Sequence, residues 1–124
     1  MSLTVILPIR TTTESNAKGH WRPKAKRAKE QRSLTGLVML QPIRKAGYRD
    51  VLKRSGQLLI TLTRIAPQRL DVDNNVSSMK HVIDGIADAL GIDDRTTLID
   101  WRFSQRKGKP KEYAVEVVIE ERQT

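Results

Sequence analysis

The sequence predicts a small α+β domain with a mixed sheet, and three observations support this fold class. The length of 124 residues suits one domain with one core. Hydrophobic residues make up 38% of the chain, a fraction that favours folding over disorder. Apolar residues alternate in some segments and recur at helical spacing in others. We expect a single domain over residues 1–124, in the order β-α-β-α-β-β with two main helices.

The first strand and the first helix are predicted in the N-terminal third of the chain. LTVILP, residues 3–8, is typical of a short strand that stops at its proline. A polar loop follows, and a helix is expected to open near Pro23, since proline suits the first turn, and to end before Pro42. Its C-terminal half would be anchored by residues at helical spacing, namely Leu34, Leu37, Val38 and Gln41.

The middle of the chain is predicted to contain a strand and the second main helix. Residues 43–56 fit a loop with some helix, and QLLITLTRIA, residues 57–66, is β-rich and is followed by a proline. A helix over residues 76–90 would end at Gly91. Its core-facing side chains would be Val76, Met79, Val82, Ile83, Ile86 and Leu90.

The C-terminal region is predicted to form two strands joined as a hairpin. TLIDWRFSQ, residues 97–105, and EYAVEVVIE, residues 112–120, alternate in polarity around the turn RKGKPK. Trp101 and Phe103 share one face of the first of these strands, so we expect both in the core.

Composition excludes several classes of protein. The chain has no cysteine, which excludes a disulfide framework, a thiolate metal site and a thiol nucleophile. Its apolar runs fall short of the roughly 20 residues that a membrane helix needs, and the opening MSLTVILPIR is too short for a signal peptide. We therefore expect a soluble, cytoplasmic protein.

The charge is strongly positive but unevenly distributed. A net charge of +9 and a pI near 10.3 indicate a polyanionic partner, most often nucleic acid. Seven of the eight aspartates lie between Asp71 and Asp100, a window of net charge −5 in a chain that is otherwise +14. Carboxylates that face DNA phosphates need a cation between them, and a divalent metal is the usual one. The sequence thus indicates a metal site within a basic protein.

Two basic clusters are the candidates for DNA contact, with a solvated basic face as the alternative for each. Phosphate contacts would make binding strongly salt-dependent and weakly dependent on DNA sequence. The first cluster lies around the start of the first helix and the second on the predicted terminal turn: Lys18, Arg22, Lys24, Lys26, Arg27, Lys29 and Arg32, then Arg106, Lys107, Lys109 and Lys111.

The candidate metal ligands begin with DVDN, residues 71–74, at the predicted junction between a strand and a helix. Two carboxylates on one side of an extended segment suit a hard cation such as Mg²⁺. The alternative is that Asp73 or Asn74 is a helix N-cap and Asp71 a solvated charge.

A second aspartate pair and a lysine complete the candidate set. Asp93 and Asp94 follow a helix C-terminus, where the helix dipole disfavours carboxylates, so capping does not explain them, although a surface turn could. Lys80 lies at the edge of the predicted apolar face beside Asp84. It forms either a helical ion pair with Asp84 or a contact with the scissile phosphate next to a carboxylate cluster.

These residues together resemble the RusA family of Holliday-junction resolvases, especially its bacteriophage and prophage branches. The resemblance rests on DVDN, on Lys80 followed by Asp84, on DALGIDD at residues 88–94 and on the terminal β region. The basic segment ESNAKGHWRPKAKRAKEQR is also similar, so the resemblance covers most of the chain. The gap from Asp73 to Lys80, which contains two consecutive asparagines, is longer than in the type member of the family, which is a cellular enzyme.

The resemblance implies a small homodimeric, Mg²⁺-dependent endonuclease, bacterial or phage-encoded, that cuts two opposing strands of a four-way DNA junction. Mn²⁺ is a possible substitute metal. By carry-over Asp71, Asp73 and Asp94 would bind the metal, with Asp93 as the weaker alternative to Asp94, and Lys80 would be the essential lysine. The alternative function is a catalytically silent DNA-binding module that uses the acidic segment as a dimer interface.

The length of the second helix raises a question about the site. A helix over residues 76–90 would rise about 22 Å, so the two aspartate pairs would lie at its opposite ends. Either both flanking segments fold back along one helix, or two subunits pack antiparallel about a two-fold axis and build two composite sites.

Overall fold

The computed structural model describes residues 2–11, 21–93 and 95–122, with the backbone alone at residues 21–24. These residues form one α+β domain with a mixed sheet, which confirms the predicted fold class. In chain order the elements are β1 (Ser2–Leu7), α1 (Trp21–Ala46), α2 (Tyr48–Lys53), β2 (Gln57–Ala66), α3 (Val72–Ser78), α4 (Lys80–Leu90), β3 (Ile99–Lys107) and β4 (Ala114–Arg122).

The sheet has four strands in the order β1-β4-β2-β3. β4 pairs antiparallel with both of its neighbours, and β2 and β3 are parallel. One row of paired residues crosses the sheet close to one end and contains Leu7, Val115, Arg64 and Gln105. The carboxyl ends of the parallel strands β2 and β3 therefore lie at the same end as the start of β4.

The predicted C-terminal hairpin was wrong, because β2 lies between β3 and β4. β2 has buried residues along its whole length, so it forms a ladder on each side rather than at one edge. The connecting loop crosses the end of β2, where the Gly108 amide donates to the Ala66 carbonyl at 2.8 Å. Crossing one intervening strand requires a span of about 10 Å, which the segment 108–113 between β3 and β4 is long enough to cover.

α1 continues to Ala46 with Pro42 inside it, so the predicted end before Pro42 was also wrong. A proline removes one backbone donor, but the fully buried Ile43 anchors the turn that follows. The C-terminal half of α1 is anchored, as predicted, although by another face: Thr35, Met39 and Ile43 are buried, while Leu37 is 74% exposed.

The second main helix is divided into α3 and α4 at Met79. Met79, Val82, Ile86 and Leu90 are buried as predicted, but Val76 is 37% exposed. Val76 belongs to the short helix α3, which ends before Met79, whereas Val82, Ile86 and Leu90 belong to α4. Gly91 ends α4 in a left-handed conformation with φ 73°, which confirms the predicted stop.

The core lies on one face of the sheet, between the strands and the helices. The sheet contributes alternate residues of each strand, including Leu58, Ile60 and Leu62 of β2, and Trp101 and Phe103 pack against this core as predicted. Within the described residues, no helix combines the length and apolar character that a membrane crossing requires.

Candidate functional site

Asp71 and Asp73 lie where the chain leaves the carboxyl end of β2 and enters α3. Asp71 is the N-cap residue by backbone position, and its carbonyl accepts the Asn75 amide at 2.8 Å, but its carboxylate makes no capping hydrogen bond. Asp73 is in the first helical turn. Both side chains are exposed, and neither is paired with any other described residue. The predicted alternative, an N-cap at Asp73 or Asn74, is therefore not what the structure has.

Two amide side chains tie this segment to β3. The Gln105 side chain accepts the Leu70 amide at 2.9 Å and donates to the Leu70 carbonyl at 2.8 Å. Asn75, 3% exposed, donates from Nδ2 to the Ser104 carbonyl at 3.1 Å. Its buried Oδ1 has no hydrogen-bond partner among the described residues. The backbone that carries Asp71 is thus fixed on both sides. These hydrogen bonds do not involve the Asp71 carboxylate, which stays available as a metal ligand.

Lys80 is the first residue of α4 and its side chain is exposed. Within the described chain it forms no ion pair with Asp84, so the predicted helical pair is absent. Asp84 instead lines a cavity of about 280 Å³ together with Asp88, Asp93, Arg32 and Arg95.

Asp93 lies in a turn that leads toward β3. Its carboxylate accepts the Arg95 amide at 2.9 Å, and its carbonyl accepts the Thr96 amide at 3.1 Å. The carboxylate also lies 3.7 Å from the Arg95 guanidinium. Asp93 therefore has the role of a turn residue, the alternative that the sequence left open. Asp94 lies outside the described residues.

The two aspartate segments are at opposite ends of β3. Asn75 is held beside Ser104, whereas Asp93 precedes Ile99, and the strand between Ser104 and Ile99 extends over roughly 17 Å at about 3.3 Å per residue. One chain therefore does not bring Asp93 to Asp71 and Asp73. Among the described residues, no group of three or more Asp, Glu, His or Cys side chains could hold a metal ion.

Asp71 and Asp73 nevertheless suit Mg²⁺ in their chemistry. They offer oxygen ligands, they are free of competing cations within the described chain, and their backbone is held in place. A site that needs a third carboxylate must take it from outside the described part of the chain, where Asp94 lies, or from a second chain.

The first basic cluster is only partly described. Lys18 lies outside the described residues, and of Arg22 and Lys24 only the helical backbone is described. Lys26 and Lys29 are exposed, with Lys26 lying 3.8 Å from Glu30. Arg27 is half-buried.

Arg32, assigned by sequence to the same cluster, forms two hydrogen bonds to Asp88, at 2.7 and 2.8 Å. These hydrogen bonds lower the pKa of Asp88, and the charge of Arg32 adds to the shift while desolvation opposes it. Arg32 therefore connects α1 to α4.

The second basic cluster lies at the same end of the sheet as Asp71. Arg106 and Lys107 end β3 and are exposed, and Arg106 lies 3.6 Å from Glu116. Lys109 and Lys111 are exposed in the loop that follows. The structure thus brings these cations and the DVDN carboxylates to one end of the molecule.

A basic pocket at this end was missed by the sequence analysis. It has a volume of about 320 Å³ at the carboxyl ends of β2 and β3, and its charged lining consists of Arg64, Arg69, Arg106 and Lys107. Arg64 is only 9% exposed. A signal was present in QLLITLTRIA, because Arg64 continues the alternation of Leu58, Ile60 and Leu62 and so falls on the core face.

The guanidinium of Arg64 is incompletely paired. It donates from one terminal nitrogen to the Gln68 carbonyl at 2.7 Å, while its buried Nε has no hydrogen-bond partner among the described residues. Burial lowers the pKa of Arg64, the nearby Tyr113 opposes this shift and Arg10 adds to it. Arg10 itself stacks over the Tyr113 ring at 4.2 Å from its centroid. An arginine remains charged despite such shifts.

Comparison with known proteins gives a relative but no activity. No family model matches the chain. Over 83 residues the chain is 37% identical to an uncharacterized protein of Xylella fastidiosa, strain Temecula1, an alignment that covers 64% of this chain and 52% of that protein. The chain thus spans about half the length of the curated relative that it matches. Since that relative is uncharacterized, the likeness assigns neither a family nor a function.

Proposed function

We propose that this protein is a Mg²⁺-dependent endodeoxyribonuclease of RusA-like type that cuts Holliday junctions or related branched DNA. One observation carries the proposal: Asp71 and Asp73, whose carboxylates pair with no described residue, lie on a fixed segment at the same sheet end as Arg106 and Lys107. Ligands of open sheets bind beyond the carboxyl ends of parallel strands, which is where these residues lie. The order of DVDN, Lys80 and DALGIDD along the chain supports the same proposal.

The proposed reaction is hydrolysis of a phosphodiester. Asp71, Asp73 and Asp94 would hold Mg²⁺, which when bound would supply Lewis acidity and lower the pKa of a bound water. Arg106, Lys107 and Lys109 would bind the sugar-phosphate backbone, giving affinity with little sequence discrimination. Lys80, exposed and without an ion-pair partner in the described chain, would balance charge that develops on the scissile phosphate.

The test is cleavage of defined DNA substrates. Four-way, flap and linear duplexes of matched sequence would be incubated with Mg²⁺, with Mn²⁺ or with a chelator, and the products mapped at nucleotide resolution. We expect paired nicks on opposing strands of the four-way junction that require the metal. Metal-dependent cutting of flaps alone would keep the nuclease and change its substrate. Binding without cleavage under all conditions would favour the silent DNA-binding module.

The enzyme is further proposed to be a homodimer with composite sites. Asp93 and Arg95 lie at the far end of β3 from Asp71, so a two-fold partner is a direct way to supply a third carboxylate from DALGIDD. Val72 and Val76 support this arrangement, because they expose apolar surface on α3 beside Asp73, at 71% and 37% exposure.

A further inference from the structure

The basic pocket at the carboxyl ends of β2 and β3 is built around a charge that the described chain does not neutralise. Arg64 is on the core face of β2 and is 9% exposed, and it makes one hydrogen bond to the described residues, to the uncharged Gln68 carbonyl. None of the described carboxylates forms an ion pair with it. Burying an unpaired charge is costly, and a bound anion is a common compensation.

The other charged groups of the pocket have the same sign. Arg69, Arg106 and Lys107 line it with Arg64, and the described lining contains neither aspartate nor glutamate. Glu116 approaches Arg106 at 3.6 Å, a distance that leaves most donors of this guanidinium free for a ligand. Several guanidinium groups around one cavity suit a phosphoryl group, whose oxygens accept paired N–H donors.

The position of the pocket relative to Asp71 indicates which phosphoryl group it takes. Arg69 lines the pocket and lies two residues before Asp71, and Leu70 between them is fixed by both hydrogen bonds to Gln105. Gln105 lines the pocket as well. The pocket and the carboxylates are therefore held rigidly side by side, as consecutive phosphates of one strand would require.

We propose that this pocket binds a backbone phosphate of the DNA strand that passes Asp71 and Asp73, with Arg64 as its innermost cation. The assignment to a strand being cut rests on the proposed nuclease function, but binding of the phosphate does not. The proposal adds Arg64 and Arg69 to the DNA-contacting residues, of which the sequence analysis named Arg106 and Lys107.

The first experiment is binding of labelled four-way DNA in a chelator, so that no cleavage is needed. Arg64→Gln is expected to weaken binding about tenfold, whereas Arg54→Gln, which removes the same charge near the start of β2, should change it less than about twofold. Lys107→Gln and Lys53→Gln form a second matched pair at exposed positions, where loss of folding is not a concern. Equal effects within each pair would overturn the proposal.

The second experiment distinguishes DNA from other phosphates. The Arg64 Nε–H resonance of the wild-type protein would be followed by NMR during titration with inorganic pyrophosphate and with a single-stranded oligodeoxynucleotide. A shift with the oligonucleotide supports the proposal. A shift with pyrophosphate alone would overturn it in favour of a small phosphorylated ligand. The absence of any shift would also overturn the proposal, and would leave Arg64 with the structural role of hydrogen-bonding the Gln68 carbonyl.

The two proposals fail separately. If the Arg64→Gln protein binds DNA weakly and the wild-type protein cuts no DNA in Mg²⁺, the phosphate-binding pocket is supported and the nuclease function is contradicted. If the wild-type protein cuts junctions, and the Arg64→Gln and Arg54→Gln proteins bind and cut them equally, the pocket proposal is contradicted and the nuclease function is supported.

Discussion

Asp71 and Arg64 are charged residues close to one end of the sheet, and their surroundings differ in a way that their types alone do not show. Asp71 is exposed, and no other described residue pairs with its carboxylate, so it is free to bind a cation from solution. Arg64 is buried, its one hydrogen-bond partner in the described part of the chain is uncharged, and it lines a cavity. At the scale of the residue, function follows from which charges the fold leaves unneutralised.

The carboxylate of Asp71 is the first residue to test. Asp71→Asn keeps the shape of the side chain but removes the charge that would help to hold the metal. We therefore expect metal-dependent junction cleavage to fall by about a hundredfold or more. Junction binding should be kept or strengthened, because a carboxylate that repels phosphate is gone. Cleavage rates and fluorescence anisotropy would measure the two effects.

Asp50→Asn is the matched control for Asp71→Asn. Asp50 is exposed in the first turn of α2, before β2 and away from the DVDN segment, and its replacement should leave cleavage within about twofold. A folded Asp71→Asn protein that loses binding and cleavage in parallel would show that Asp71 supports structure rather than chemistry.

At the scale of the elements, the contact between α1 and α4 decides how closely two helices approach. A Cβ atom added at Gly85 would lie 2.6 Å from the Arg32 carbonyl oxygen and 2.6 Å from Thr35 Cβ. The same atom at Gly36, across the contact, would meet the Gly85 carbonyl at an ordinary 3.5 Å. Gly85 is therefore required by the approach of the helix backbones, and Gly36 is not.

This difference predicts opposite effects for two similar substitutions. Gly85→Ala should lower the free energy of unfolding by about 1–3 kcal/mol, because α1 and α4 must separate to admit the methyl group. Gly36→Ala should leave it unchanged or raise it by up to about 1 kcal/mol, since alanine favours helix. Urea unfolding measures both. A stability ranking in the reverse order would show that the helices are not this close.

The hydrogen bonds between Arg32 and Asp88 connect the same two helices and have a pH signature. They lower the pKa of Asp88, so their contribution is present above the ordinary pKa of aspartate and is lost as pH falls through the lowered value. Both side chains are about half exposed, so we expect Asp88→Asn to cost about 0.2–1 kcal/mol at pH 7.

Urea unfolding of the wild-type and Asp88→Asn proteins from pH 7 down to pH 3 would test this contribution. The difference in unfolding free energy should shrink in the acid range, below about pH 4, where the unfolded carboxyl becomes protonated. A difference that is constant over the whole range would mean that the charge of Asp88 plays no part.

At the scale of the whole molecule, the sheet separates the two aspartate segments. DVDN follows the carboxyl end of β2, and Asp93 precedes the amino end of β3, because parallel neighbouring strands require the chain to return along the full length of the sheet. The α3 and α4 helices make this return. Asp93 is therefore far from DVDN within one chain, and this separation is the reason for proposing a site that draws on two chains.

Complementation between inactive subunits tests the composite site. An Asp71→Asn protein and an Asp94→Asn protein should each be inactive, and mixing them under exchange conditions should restore part of the cleavage, because one of the two sites in each heterodimer keeps all its carboxylates. Mixing Asp71→Asn with Asp73→Asn is the control and should restore nothing, since both changes fall in the same half-site. Equal recovery in the two mixtures would contradict the model.

Prediction from the sequence succeeded where the signal is local. The alternation of QLLITLTRIA predicted β2 with its observed bounds, and the apolar spacing from Met79 to Leu90 predicted the buried face of α4. Gly91 was predicted as the end of that helix from residue type alone. These features depend on residues within a few positions of one another, which is why the sequence is sufficient for them.

The errors share a different cause. The predicted hairpin was wrong because β2, which comes much earlier in the chain, lies between β3 and β4. The helix does not end before Pro42, because Ile43 after it is buried in the core. Val76 is not a core residue, because the helix breaks at Met79. In each case a contact with a distant segment outweighs a local preference.

The sequence by itself determined the α+β class, the approximate positions of the four strands and of the main helices, and the presence of an acidic segment within a basic chain, because these follow from local periodicity and composition. Only the tertiary structure decided the strand order, the separation of Asp93 from Asp71, and the pocket around Arg64. Those depend on pairings such as Leu70 with Gln105 and Arg64 with Val115, in which residues far apart in the chain meet in the sheet. Such contacts form when the whole chain folds, and local sequence patterns do not encode them.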